Sequence, residues 1–147
     1  MQHCWGVTCV NDMEAMLSYQ PITIGDKEQA LADLVRCYEK MMMRSHTNGG
    51  YVNLLDECWK MCEKFHTNIV IMYDHVSCKN VGGLHGLFED QARERGIHLI
   101  WIPHDVMDPR TVSRREMREA FSQYMVTVLN EKPLDPTLLD YEDTLSW

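Results

Sequence analysis

"NIVIMYDHVSCKNVGGLHGLFEDQARERGIHLIWIP" covers residues 68–103, and its reading decides the fold. "NIVIMY" (68–73) is an unbroken apolar run rich in β-branched residues, the pattern of a strand covered on both faces as in parallel sheets. "IHLIWIP" (97–103) is a second such run. Between them, Gly82 and Gly83 open an expected helix over about 83–95. Its inner face would carry Leu84, Leu87, Phe88 and Ala92, and Gly96 would cap its C-terminal end. Strand, helix, strand with short connections implies a right-handed βαβ unit.

Downstream, Ser113 and Glu116 form an S-x-x-E capping box. The helix that follows would bury Met117, Phe121, Tyr124 and Val128. Upstream, Asp26 and Gln29 resemble another capping box, and Leu31, Leu34, Val35, Tyr38 and Met41 repeat at helical spacing, so a helix is expected over about 27–44. "SHTNGG" (45–50) supplies turn residues that would end it. A further helix is expected from Tyr51 to Phe65, with Tyr51, Leu55, Cys58, Cys62 and Phe65 on one face. Residues 5–10 are open to a strand reading.

The fold class is therefore α/β, a Rossmann-like or flavodoxin-like parallel sheet with flanking helices in a small or partial domain. Residues 1–130 would make one domain, helical over 1–66 and βαβα over 67–130, and 131–147 a C-terminal tail. Two strands make a thin sheet. Either the opening segment adds a strand or the chain docks on a larger body. The tail segment "NEKPLDPTLLDYEDTLSW", with two prolines, acids and a terminal Trp, reads as an extended arm lying on another surface.

The chain has 147 residues, enough to bury a core without disulfides. No apolar run reaches the roughly 20 residues that cross a bilayer. "MQHCWGVTCVND" lacks the basic and long apolar regions of a secretory signal, so a cytoplasmic location with reduced cysteines is expected. A formal net charge of −8 with dispersed basic residues argues against a nucleic-acid partner. The 11 methionines suit irregular core gaps or a protein interface.

In open α/β sheets ligands gather beyond the carboxyl ends of the strands. Two loops meet that description, "DHVSCKNVGG" (74–83) and "PHDVMDPRTVS" (103–113). They hold Asp74, His75, Ser77, Cys78, Lys79, His104, Asp105, Asp108 and Arg110. A lone cysteine is more often a packed residue than a reactive one. Lys79 and a nearby helix start favour thiolate at Cys78, which could then be a nucleophile or a metal ligand. His75 and His104 could act as base or ligand, though loop histidines more often hydrogen-bond locally. "DPR" (108–110) is by default a turn. Cys58 and Cys62, at i,i+4 on an apolar face, read as core packing, as does Cys37; Cys4 and Cys9 receive no role. There is no C-x-x-C pair, no G-x-G-x-x-G and no Walker A pattern, so zinc ribbons, thioredoxin-like sites and nucleotide enzymes lack motif support.

Taken together, "SCK" (77–79) after an apolar strand and "RERGIHLIWIPHDVMDPRTVSRREMREAFSQYM" (93–125) resemble the C-terminal domain of the 2-hydroxyacyl-CoA dehydratase and benzoyl-CoA reductase superfamily. There a strand ends in a Ser-Cys-Lys or Ser-Cys-Arg loop, and the next strand runs into a "GDMVDPR"-like segment. The resemblance covers about residues 65–130. It implies that Cys78 is one ligand of an oxygen-sensitive [4Fe-4S] cluster beside an acyl-CoA thioester, shared with cysteines outside this chain. Ser77, Lys79 and His75 would surround that ligand, and His104, Asp105, Asp108 and Arg110 would line the substrate loop. A cluster of this kind passes a low-potential electron to the thioester, for ring reduction or for dehydration.

The implied partners are a paralogous or N-terminal cluster-carrying subunit, the acyl-CoA substrate, and an ATP-dependent activator or ferredoxin as electron donor. His75 and Val76 before the serine, Asn80 in place of proline and "GGLH" (82–85) depart from the dehydratase pattern. "GGLHGL" and "PLDP" lie closer to the benzoyl-CoA reductase B-type subunit. Two other readings stand beside this one: a non-catalytic α/β interaction module, and an enzyme with Cys78 as nucleophile served by His75 or His104.

Overall fold

The computed structural model describes residues 1–13, 21–39, 42–108 and 110–140. The chain divides into two compact units, Val10–Thr67 and the combination of Met1–Cys9 with Asn68–Trp147. The second unit is α/β and carries the residues singled out above. Its first element is a single helical turn, α1 (Gln2–Trp5), closed by Gly6. The strand reading of residues 5–10 is thus replaced by one turn and irregular chain. Trp5 explains the difference, because it is buried together with Cys4 in the core and works as an anchor rather than as part of a ladder.

The helical unit holds α2 (Lys27–Glu39), α3 (Met42–Gly49) and α4 (Tyr51–Phe65). The expected helix over 27–44 is therefore described as α2 to Glu39 and a separate α3 from Met42, with residues 40 and 41 outside the described set. "SHTNGG" does not end a helix at its serine. Ser, Thr and Asn disfavour a helix only weakly, so α3 continues to Gly49. Gly50, at φ 79° and ψ 171°, then makes the break, a conformation open to a residue without Cβ.

In α4, Leu54, Leu55, Cys58, Trp59 and Cys62 are buried, which accords with the packing role read for the two cysteines. Tyr51 and Phe65, placed on that face by spacing, are exposed. In α2 the expected inner face is not buried: Leu31, Leu34, Val35 and Tyr38 are 42% to 59% exposed, and Met41 lies outside the described residues. Asp33 is the buried residue of that helix.

The α/β unit continues with β1 (Ile69–His75), the single turn α5 (Lys79–Gly82), α6 (His85–Arg95), β2 (His98–His104) and α7 (Arg114–Thr127). β1 and β2 pair in parallel, Ile71 opposite Ile100 and His75 opposite His104. They are the two strands among the described residues. Side chains alternate across a strand, so one face presents Ile69, Ile71, Ile100 and Ile102 to Trp5, Phe121 and Met125 in one core cluster. The other face presents Trp101 edge-on to Phe88 of α6, their centroids 6.1 Å apart. Phe88 and Ile100 are 0% and 1% exposed, one on each face of β2.

The helix expected over 83–95 is α6, which starts two residues later with Leu84 at its N-cap, and the separate turn α5 precedes Gly83. Gly96 ends α6 at φ 66°, in the left-handed conformation the sequence called for. Leu84, Phe88 and Ala92 are buried, whereas Leu87 is 42% exposed. The box at Ser113 forms in both directions: Glu116 N–H donates to Ser113 Oγ (3.2 Å) and Ser113 N–H donates to Glu116 Oε2 (2.6 Å). On α7 Phe121 and Met125 are buried and Met117 and Tyr124 pack against the core, while Val128 is exposed.

The described part of the tail lies on its own chain. Leu134 N–H donates to the Cys4 carbonyl at 2.7 Å, and Leu138, in a 3-10 turn over Pro136–Leu138, joins the core. Residues 141–147 are outside the described set. No described helix is long and apolar enough to cross a membrane.

Candidate functional site

The parallel register brings the ends of β1 and β2 level, so the loops after His75 and His104 leave the sheet side by side. Val76 N–H donates to the His104 carbonyl at 3.0 Å and carries the pairing one step past the strands. The His75 and His104 rings meet edge to face at 5.7 Å, and Tyr73 lies 5.5 Å from His104.

His75 ties the two loops together. On its own loop, Nδ1 accepts from Ser77 N–H (3.2 Å) and lies 3.0 Å from Ser77 Oγ. On the other, Nε2 lies 3.4 Å from Val106 N–H and 3.7 Å from Asp105 Oδ1. With Nδ1 accepting from Ser77 N–H, Nε2 is the nitrogen that carries the proton and faces the Asp105 carboxylate. Asp105 accepts from Met107 N–H (2.9 Å) and Asp108 N–H (3.2 Å), an Asx turn. The Met107 amide is the chief reason its carboxyl lies below the usual aspartate range; the Asp108 amide, the Thr111 hydroxyl and His75 act the same way, against an opposing effect of burial.

Cys78 is half-buried at the N-cap of α5, its side chain making no cap hydrogen bond. Its N–H donates to the His75 carbonyl at 2.8 Å, which folds the loop back on the strand end. The helix beginning beside the sulfur, α5, is a single turn, and the longer helix anticipated nearby starts at His85. Lys79 is exposed. The loop "DPR" is a turn: Arg110 clamps Asp108 through Nε to Oδ1 (2.9 Å) and Nη2 to Oδ2 (2.8 Å). That guanidinium holds the Asp108 carboxyl below its usual range and is itself pushed up. The pair is well exposed, where such bridges contribute little stability.

The sequence-predicted set therefore splits. His75, Ser77, His104 and Asp105 converge; Asp108 and Arg110 satisfy each other; Cys78 and Lys79 follow the cluster on the same loop. Among the described residues no three His, Cys, Asp or Glu side chains are grouped to hold a metal ion.

A second cluster at the same sheet edge went unread. His85, the first residue of α6, stacks on Trp101 at 3.7 Å and 18°, with Nε2 3.3 Å from Asp74 Oδ2 but outside hydrogen-bonding geometry. Trp101 Nε1 is buried without a hydrogen bond. The signal lay in the register: Asp74 and Trp101 share a face only once β1 and β2 are aligned residue by residue.

The helical unit holds one more polar knot. Asp33 accepts from Thr23 Oγ1 (2.7 Å), Thr23 N–H (3.0 Å), Gln29 Nε2 (2.8 Å) and Arg36 Nη1 (3.0 Å). The Thr23 hydroxyl is the largest cause of its lowered pKa.

Comparison with models of protein families, with curated proteins and with solved structures finds no match for this chain.

Proposed function

We propose that this chain is a C-terminal α/β domain of an iron–sulfur acyl-CoA reductase or dehydratase subunit, with Cys78 donating one thiolate to a [4Fe-4S] cluster completed by cysteines outside the chain. The observation that carries the reading is the place of Cys78. It is half-buried, at the carboxyl edge of a parallel sheet, on a loop held to the neighbouring strand end. Ligand sites of open α/β sheets form at that edge.

In this reading Cys78 supplies one ligand of a group shared with other polypeptide. Such a cluster takes four thiolates, of which Cys78 would be one and the others would come from outside the chain. When bound, the cluster supplies a low-potential electron to an acyl thioester. The chain's own residues would present the thiolate and shape its surroundings. His75 and Ser77 fix the loop before Cys78, Lys79 adds a positive charge beside it, and Asp105 holds the facing loop through its turn. An acyl-CoA substrate, a cluster-carrying partner subunit and a ferredoxin or ATP-dependent electron donor belong to this reading, as does a cytoplasmic, anaerobic setting.

The test is iron and sulfide analysis after anaerobic co-purification with candidate partner subunits. Iron present in the wild-type complex and lost in Cys78→Ala, with the complex intact, is the expected result. Equal iron in both would remove the assignment. Iron absent from both would favour a second reading, a non-catalytic interaction module, whose specific support is the apolar α2 face at Leu31, Leu34, Val35 and Tyr38.

A further inference from the structure

On the face of the sheet that α7 covers, the packing leaves a cavity of about 470 Å³. Sites for small molecules typically enclose roughly 300–1,000 Å³. Its apolar wall is built from Trp5 of α1, Ile102 of β2, Met117 and Phe121 of α7, and Leu138 of the tail. The tail reaches it because Leu134 N–H donates to the Cys4 carbonyl and Leu138 packs on the core. Cys78 is not part of the wall.

The charge of the wall has one sign. Arg114, Met117, Arg118, Phe121 and Ser122 line the cavity at helical spacing, so they form one face of α7. That face brings two guanidinium groups, one turn apart, to an apolar space. No Asp or Glu is among the described residues of the wall, although the chain carries a formal net charge of −8. Like charges at i,i+4 repel, and Arg114, the first residue of α7, also lies at the positive end of the helix dipole. An anion beside the two arginines relieves both costs. Such departures from local preference gather at functional sites. Away from the cavity the same helix follows the ordinary pattern, and Arg115 pairs with Glu119 at 2.8 Å.

We propose that this cavity binds a small amphipathic carboxylate, its alkyl or aryl part among Trp5, Met117, Phe121 and Leu138 and its carboxylate held by Arg114 and Arg118. Arginine suits the task because its planar fork takes a carboxylate in two parallel hydrogen bonds. His3 and Ser122 add hydrogen-bonding groups to the wall. The site does not depend on whether Cys78 binds iron.

The test is isothermal titration calorimetry on the full chain without iron, with octanoate as the probe and 1-octanol as its uncharged counterpart. One saturable site is expected, with octanoate bound about tenfold more tightly than 1-octanol. Arg114→Gln and Arg118→Gln should each weaken octanoate about three- to tenfold and leave 1-octanol unchanged, a selectivity that a merely structural arginine would not show. Either variant decides the matter if the other fails to fold. In the wild type, nuclear Overhauser contacts from bound octanoate should reach the Met117 methyl group and the Trp5 ring. The absence of saturable binding, equal affinity for octanoate and 1-octanol, or an equal loss of both in the arginine variants would overturn the proposal. So would contacts to the open α2 face at Leu31, Leu34 and Val35 in place of those to Met117 and Trp5.

Discussion

α2 and α7 look alike as sequences and differ as structures. Each begins after a residue suited to capping, each has a Glu or Gln three residues on, and each repeats apolar side chains at helical spacing. Yet α7 buries Phe121 and Met125 in the core under β2, while the four described residues of the α2 stripe remain 42% to 59% exposed. Spacing tells which face of a helix is apolar; it does not tell whether the chain supplies anything to cover it. β2 supplies a surface for α7, with Ile100 and Ile102 pointing at it. The one residue of α2 that is buried is polar, and its carboxylate is satisfied by four hydrogen bonds.

The comparison is broken most decisively at Phe121. It is 4% exposed and sits between Ile100, Ile102 and Met125, so Phe121→Ala should cost about 3 to 4 kcal/mol, the transfer term plus a cavity. Urea unfolding followed by far-UV circular dichroism checks this. A loss near zero would mean that α7 does not lie on the sheet.

The caps give a smaller effect. Ser113→Ala removes the two bonds of the Ser113 hydroxyl, from Glu116 N–H and to Glu116 Oε2, leaves the arm from the Ser113 N–H in place, and should cost about 1 kcal/mol. Asp26→Ala should cost about half of that, because its side chain accepts a single hydrogen bond. Gln29 N–H donates to Asp26 Oδ1 at 3.1 Å, but the Gln29 side chain turns to Asp33 instead of returning to the cap. The same urea titrations rank the two variants, and equal losses would erase the distinction.

These cases show what was legible. Both strands, α4 and α7 were readable because each carries its own signal, a β-branched run, a 3.6-residue stripe or a capping box. The packing role of Cys58 and Cys62 was readable too, since both lie on the stripe that α4 buries, whereas Cys37, read the same way, is only half-buried. What could not be read depends on alignment between distant segments. Asp105 reaches His75 across the sheet edge, and His85 reaches Asp74 and Trp101, only because β1 and β2 pair in one register. Trp5 and Cys4 were opaque for the same reason, as one helical turn has no periodicity to detect and its role comes from the core it plugs. The turn at "DPR" was visible, and the structure makes it a turn closed by its own ion pair.

The smallest effect tests the α2 side directly. Leu34 is 42% exposed, so Leu34→Ser removes a side chain that has little burial to lose and should change stability by no more than about 0.5 kcal/mol. The measurement is again the urea midpoint of the full chain, taken at several protein concentrations. A near-neutral, concentration-independent result leaves α2 with an open apolar face, available to another polypeptide. A loss above about 1.5 kcal/mol would be too large for a side chain in water, and would mean that the α2 stripe is covered in solution. If that loss grew with protein concentration, the cover would be a second copy, since association adds its own free energy to the folded state by mass action. The contrast with α7 would then lie in where the covering surface comes from, not in whether there is one.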